Sequence, residues 1–397
     1  MERRNSMASV SGNFLFASFL LYIVAILFFG GSVKQRKKAE IKEVGKSSKI
    51  GLIITIFSFL SHLAYFILRW IASGHAPVSN LFEFICFFAL ALVAGFLILF
   101  RLYPLPSLGI FTLPIVIVLL AYANMFPKDV APLIPALQSS WLVIHVITAA
   151  VGEGILSISF AAGFIYLIKS INAKETKSSR GIELIILFFF SFIGFILLSI
   201  IFSSIGFKEK VYIVDSQGQQ AAIDYHMPPI IGPDPKDVAD NADFKPFLTV
   251  PATINSGKLN SVLLSILSGG ILYLAARLIL RTRVAARLKP LVKNVSLELL
   301  DEISYRAVLI GFPIFTLGAL IFAMIWAQIA WSRFWDWDPK EVWALITWLF
   351  YAAFLHLRMA KGWKGKNSAW LAVIGFMIIM FNLIAVNLIM VGLHSYA

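Results

Sequence analysis

The chain has 397 residues, 59% of them hydrophobic and only 14% charged, with a mean hydropathy of +0.84. Soluble domains carry about a quarter of their residues as charges, so a water-facing globule, a disordered chain, a nucleic-acid-binding domain and a secreted disulfide scaffold are all excluded. The formal charge of +13 reports topology rather than a polyanion partner, because the basic residues gather in connections between apolar runs.

Those runs fall at about residues 14–33, 50–73, 82–100, 108–124, 140–168, 184–206, 259–280, 307–330, 343–358 and 369–392. About 20 apolar residues cross a bilayer core, which predicts an all-α polytopic membrane protein, a bundle of about ten transmembrane helices. The short run near 350 and the proline-flanked pair around Arg101 to Pro106 leave eight or nine spans as alternatives. Basic clusters lie at Lys34 to Lys49, Lys169 to Arg180, Arg281 to Lys293 and Arg358 to Lys366. With the first cluster inside, ten spans place every later cluster inside too, and both termini outside.

The first run follows Arg3 and Arg4, is too long for a signal peptide and lacks an Ala-x-Ala type cleavage site, so it reads as a retained helix. Met7 is an alternative start that would remove both arginines. The chain divides into residues 1–49 (first helix and basic loop), 50–206 (spans with external loops), 207–258 and 259–397. The segment 207–258 carries Pro228, Pro229, Pro233, Pro235, Pro246 and Pro251 and is expected to be an ordered extracytoplasmic flap with little regular helix. It caps the membrane part or docks a protein substrate.

Cys86 is the single cysteine and lies in an apolar run. One copy therefore cannot build a disulfide, a thiol relay or a cysteine metal site, and any sulfur chemistry needs a partner's thiols.

Six of the ten tryptophans, Trp326, Trp331, Trp335, Trp337, Trp343 and Trp348, fall within the loop 326–348. An interfacial aromatic belt accounts for one or two per helix end, not six. Packed rings on an extracytoplasmic loop form a flat apolar shelf suited to a large planar ligand, with indole N–H groups to fix its polar edge. Asp338, Pro339 and Glu341 read as the N-cap, first position and third position of the next helix. Capping leaves Arg333 and Lys340 unexplained: they meet carboxylates on the ligand's rim or snorkel at the interface.

Among the six histidines, His145 lies about one turn inside the outer end of its span, and His394 just beyond the outer end of the last. Two imidazoles from different helices beside a shelf of rings favour axial ligation of a haem iron, against the alternative of ordinary polar residues. His356, near the inner end of its span, is either functional or snorkels toward Arg358. His62 and His75 are 13 residues apart, about 20 Å along a helix, a spacing that resembles stacked haem ligands. Gly74 and Pro77 weaken that reading by placing His75 in a loop. His226 reads as an ordinary surface residue.

The stretch Trp331-Ser-Arg-Phe-Trp335-Asp-Trp337-Asp338-Pro-Lys-Glu341 resembles the WWD signature of haem-handling proteins, and its flanks resemble the CcsA (ResC) family of system II cytochrome c biogenesis. Supporting pieces are Pro77-Val-Ser-Asn80-Leu-Phe-Glu83, Ser140-Trp141-Leu-Val-Ile-His145 and Gly392-Leu-His394-Ser-Tyr. Ser332 and Asp336 stand where the family often has glycine.

The resemblance implies that His145 and His394 are external axial ligands of haem b carried as substrate. It implies that Trp326, Trp331, Trp335, Trp337, Trp343, Asp338 and Arg333 belong to the haem cradle, and that His356 is a transient iron ligand on the haem's route outward. It further implies a CcsB (ResB)-like membrane partner supplying the second transmembrane ligand, and an apocytochrome c whose Cys-x-x-Cys-His motif receives the haem. A thioredoxin-like protein would keep those thiols reduced, and the bacterial cytoplasmic membrane would be the location. The chain would then be a subunit of a cytochrome c haem lyase, with no nucleic-acid partner. A b-type electron-transfer subunit and a small-molecule or ion transporter remain as alternatives, the latter without a use for the tryptophans.

Overall fold

The computed structural model describes residues 2–35, 45–128, 138–171, 176–214, 220–238, 246–251 and 255–386. All ten expected spans are helices of sufficient length and apolarity among those residues, so the protein is an all-α multi-pass membrane protein. The described chain forms two compact units, residues 2–171 with 288–386, and residues 176–287.

The first unit opens with α1 (Glu2–Gln35) packed along α2 (Lys46–Ser73). Serines join the pair: Ser58 Oγ donates to the Ser18 carbonyl at 2.9 Å and Ser61 Oγ to that of Phe14 at 2.8 Å. Between apolar helices, such hydroxyl bonds supply association that lipid-like side chains cannot. Gly74, in the left-handed conformation at φ 79°, ends α2, because a residue without Cβ tolerates that turn.

Next come α3 (Leu81–Leu102), α4 (Pro106–Ala123) and α5 (Ser140–Lys169). The last of these is the axis of the unit, touching α3, α4, α9 (Leu297–Phe315) and α12 (Lys366–Phe381). Its approach to α9 is backbone on backbone. A Cβ on Gly152 would lie 2.5 Å from the Phe315 nitrogen, and one on Gly318 2.2 Å from that of Ala149. Small residues at these points are required for the helices to meet at all.

The span containing α9 starts at Leu297, ten residues before the apolar run at 307. Ser296 caps it, its Oγ accepting the Leu299 N–H at 3.1 Å, and Glu298, Asp301 and Glu302 occupy its polar first turns. The span continues through a π-helical segment, Thr316–Phe322, into α10 (Ala323–Trp331). After the tryptophan loop, α11 (Pro339–Ala360) and α12 follow, and a second π-helical segment, Asn382–Val386, ends the described chain. Near the far end of α11, Arg358 bonds Asp301 at 2.6 Å, and Asp301 also accepts the Gly365 N–H at 3.0 Å. This clasp ties the turn after α11 to the start of α9.

The second unit holds α6 (Thr176–Ser204), α7 (Ser256–Leu280) and the short α8 (Val284–Leu288, its last residue outside the unit). The segment 207–258 lies between α6 and α7, and its described residues contain no α-helix before Ser256. It is built on β1 (Glu209–Val214) paired antiparallel with β2 (Gln220–Tyr225), and β3 (Ile231–Pro233) paired parallel with β4 (Leu248–Val250). Val211, Ile213, Ile223 and Tyr225 form its small core. Asn260 of α7 accepts from Ile230 and Ile231 N–H groups and donates to the Pro228 carbonyl, so the proline-rich chain is tied to the helix below it.

Candidate functional site

The site lies in the first unit and starts at the N-terminus of α5, where Ser139 Oγ caps the helix by accepting the Trp141 N–H at 3.2 Å. One turn in, His145 Nδ1 lies 2.9 Å from the Gly318 carbonyl oxygen. That contact is a hydrogen bond only when Nδ1 carries the proton, which puts the ring's lone pair on Nε2. The π-helical winding and the missing Cβ of Gly318 together bring this carbonyl against α5. A regular helix with alanine here would clash with Ala149.

The imidazole also stacks on Trp326, with centroids 5.8 Å apart and planes 10° from parallel. Trp326 is buried against Leu142, and Trp331 meets it edge-on at 4.7 Å.

His145 opens onto a cavity whose empty space, open mouth included, is about 1310 Å³. One wall is α5, through Leu142, His145, Val146, Ala149 and Glu153; the others come from the start of α3, the span of α9 and α10, the head of α11 and the second π segment. The loop Val78 to Asn80 forms part of the rim. Its order has a physical source. Asn80 Oδ1 accepts the Glu83 N–H at 2.9 Å, and Glu83 Oε2 accepts both the N–H and the hydroxyl of Ser79. The other oxygen of Glu83 meets Arg69 Nε at 2.8 Å, with both side chains nearly sealed from solvent. The Asn80 to Glu83 motif is thus a reciprocal cap locked by a buried ion pair.

The tryptophan loop closes another side. Asp338 Oδ1 accepts the Lys340 N–H at 3.0 Å, as the capping pattern predicts, while Glu341 reaches back to the Asp336 N–H at 2.8 Å. Ser332 and Trp337 both take positive φ, 57° and 56°, a strained choice for residues carrying Cβ. Trp335 lines the cavity, and its Nε1 is buried with no hydrogen-bond partner among the described residues. A buried N–H with no acceptor is costly. Lys340 lines the same space.

The expectation of one flat shelf of six rings is corrected by the structure. Trp326 and Trp335 line the cavity, and Trp331 backs Trp326. Trp337 is exposed and meets Trp335 edge-on at 5.9 Å. Trp343 packs on Phe381 at 4.3 Å, and Trp348 donates from Nε1 to Thr316 Oγ1 at 3.0 Å. The reason is helical geometry: residues five apart on a helix point about 140° away from each other, so Trp343 and Trp348 cannot share a face.

Other expected site residues also separate. Arg333 does not line the cavity and pairs with Asp336 across the loop's surface. Asp338 caps α11 outside the cavity wall. His356 is exposed on α11, 17 residues from its first residue and away from the cavity. His394 lies outside the described residues. His62 is fully buried, with Tyr22 Oη 3.5 Å from its Nδ1 and the Tyr65 ring beside it. His75 follows the end of α2, its Nδ1 3.0 Å from the Ala76 carbonyl oxygen. The helix therefore stops before a stacked pair with His62 can form.

Two cavity groups escaped the sequence reading. The signal for Glu153 was present, a carboxylate eight residues after His145 in an apolar run. The Gly318 carbonyl carried no such sign, because its role arises only from the contact between helices.

The family model described as cytochrome C assembly protein matches residues 78–207 and 261–394. The chain belongs to this family. Every cavity-lining residue falls inside the matched segments, whereas His62 falls outside them. The chain is similar to the cytochrome c biogenesis protein CcsA of a Synechococcus strain, 30% identical over 385 residues, covering 96% of this chain and 94% of the relative. It is also similar to the protein of that name from Nostoc punctiforme, 31% identical over 336 residues, covering 83% and 82%. A third relative, from Prochlorococcus marinus subsp. pastoris, is 31% identical over 357 residues, covering 88% and 84%. The chain is accordingly a multi-pass membrane protein of cytochrome c biogenesis.

Proposed function

We propose that this chain carries haem across the cytoplasmic membrane and presents it to apocytochrome c for covalent attachment, in complex with a CcsB/ResB-type partner. The observation that carries the reading is His145, its Nδ1–H held by the Gly318 carbonyl and its ring stacked on Trp326 at the wall of a mainly apolar cavity. That arrangement is the one a haem-iron ligand needs: a fixed tautomer, a fixed ring plane and a second-shell acceptor that strengthens the ligand nitrogen.

The rest of the cavity fits a porphyrin as substrate. The faces of the macrocycle are apolar, as are most of the lining side chains. Its propionates would be acceptors for the Trp335 N–H, and Lys340, which lines the same cavity, would be a cation for them. His394 is proposed as the second axial ligand. The tryptophan loop and this end of the bundle are assigned to the extracytoplasmic side, from the four basic connections at the opposite ends of the helices.

The chain's part in attachment is to hold and orient. Each thioether forms when a thiol of the apocytochrome adds across a haem vinyl group, sulfur to one carbon and hydrogen to the other, with no net oxidation. Cys86 is buried and lies away from the cavity wall, so the thiols are the substrate's own. Displacement of one axial imidazole by the histidine of the Cys-x-x-Cys-His motif would bring the thiols to the vinyls. His356, exposed on α11, is positioned for completion by a residue of the partner chain, which makes it the proposed ligand on the inward part of the route.

The test is co-expression with a CcsB-like protein and a reporter apocytochrome in a host lacking its own maturation system, followed by covalent haem staining and absorption spectra of the purified complex. Wild type is expected to hold haem and yield stained cytochrome. Undiminished bound haem in both His145→Ala and His394→Ala would defeat the reading.

A further inference from the structure

Glu153 lines the cavity on the same stripe of α5 as His145, with Val146 and Ala149 between them. It lies eight residues past His145, about 12 Å along the helix. It is 13 residues from the first residue of α5, about 20 Å in, near the middle of a hydrocarbon core about 30 Å thick. Its carboxyl group makes no ion pair or hydrogen bond among the described residues. Carboxylates at such depth usually pair with a cation or mark the path of a substrate or proton.

The ionisable groups facing it are few. His145 stands on its own helix. Lys340 and Glu341 line the cavity at the head of α11, and Tyr351, buried on α11, is in electrostatic contact with it. The lining residues from α3, α9, α10 and both π segments include no ionisable group, and α4 contributes no lining residue. Lys340 lies 11 residues before Tyr351 on α11, about 16 Å along the helix axis, and Glu341 is occupied by the Asp336 N–H. The carboxyl group therefore makes no ion pair among the described residues of the wall, although Lys340 lines the same cavity.

We infer that Glu153 is a redox-linked proton acceptor for haem held on His145, a neutral acid while the iron is ferrous and a carboxylate while it is ferric. The inference rests on the haem reading above. An apolar wall disfavours net charge, and a bis-imidazole haem core carries one positive charge when ferric and none when ferrous. A carboxylate in the same cavity cancels that charge. On reduction the charge disappears and the carboxylate takes a proton through the open mouth. The balance is ferric core, Glu153 carboxylate, one electron and one proton giving ferrous core and Glu153 carboxylic acid. A one-electron reductant supplies the electron. The consequence is that reduction, the state in which attachment is expected, becomes coupled to proton uptake at one named oxygen pair.

The experiment is a spectroelectrochemical titration of the haem-loaded complex of the full chain with its partner, using dithionite and redox mediators over a series of pH values. The wild-type midpoint is expected to fall by about 59 mV per pH unit where one proton accompanies one electron. In Glu153→Gln the slope should largely vanish while the low-spin spectrum persists. Glu153→Asp should keep the slope with its onset moved, which serves if the glutamine variant fails to fold. Equal slopes in wild type and Glu153→Gln, or an unmoved onset in Glu153→Asp, overturn the inference. A second readout needs no haem: infrared spectra of the empty complex should contain a protonated carboxyl C=O band that Glu153→Gln removes, and its absence overturns the inference as well. Failure of the wild type to bind haem would instead bring down the reading on which the inference stands.

Discussion

Two histidines, both ringed by aromatic side chains inside the first unit, have opposite surroundings. His145 has one nitrogen tied to a backbone carbonyl and its ring on the wall of a cavity. His62 is sealed between Tyr22 and Tyr65, and its Nε2 is buried with no hydrogen-bond partner among the described residues. Both look equally promising as ionisable residues within apolar runs. Their difference teaches that a ligand needs a held ring and room in front of it. Burial and aromatic neighbours alone produce a packed polar residue with an unmet hydrogen bond.

The sharpest way to break this comparison is to exchange the two residues' fates. His145→Ala is expected to abolish most bound haem in absorption spectra of the purified complex, with added imidazole restoring part of it. His62→Leu should leave haem content unchanged. Thermal unfolding of His62→Leu should stay close to wild type, because the substitution removes the unpaired Nε2 but leaves the buried Tyr22 hydroxyl without its partner, opposing costs of about 1–3 kcal/mol each. Haem loss in His62→Leu with an unaltered unfolding profile would put His62 back in the pathway.

The next effect tests the rim. Glu83→Ala leaves Arg69 as an unpaired buried cation and releases the Ser79 bonds. Breaking such a pair typically costs about 3–5 kcal/mol. The unfolding midpoint in detergent should drop markedly, with weaker haem retention following from a loosened loop. A stable Glu83→Ala protein that retains haem normally would show that the loop is not part of the site.

Smaller still is Trp335→Phe, which keeps a ring at the cavity wall but removes the orphaned N–H. A lost hydrogen bond of about 1 kcal/mol predicts haem dissociation faster by about fivefold, measured by transfer to an apo-globin acceptor. Unchanged dissociation would mean that the indole nitrogen meets no part of the substrate. The smallest change is expected from Arg333→Ala, since its ion pair with Asp336 is surface-exposed and such pairs contribute about 0–1 kcal/mol. Haem retention and thermal stability should both stay near wild type. A large loss would return Arg333 to the cradle.

Much of the fold was legible because it depends on short stretches of chain. The first helix, the Asp338 cap and the end of α2 at Gly74 follow from residues within a few positions of one another. The site was legible in part. His145 and Trp335 stand on the cavity as the residues indicated, but the tryptophans scatter because each ring's direction depends on its angle around a helix. Arg333 pairs with Asp336 on the loop and does not line the cavity. Glu153 carried a signal, one acidic residue in a long apolar run, but its place on the cavity depends on neighbouring helices.

By itself the sequence determined that the chain crosses a membrane about ten times, where the basic connections lie, and that a single thiol cannot form an internal disulfide. Each follows from counting residues against bilayer thickness, charge or chemical type. Only the tertiary structure decided which side chains share a cavity. That depends on glycines letting α5 and the π-helical span approach at backbone distance, which turns one carbonyl toward one imidazole.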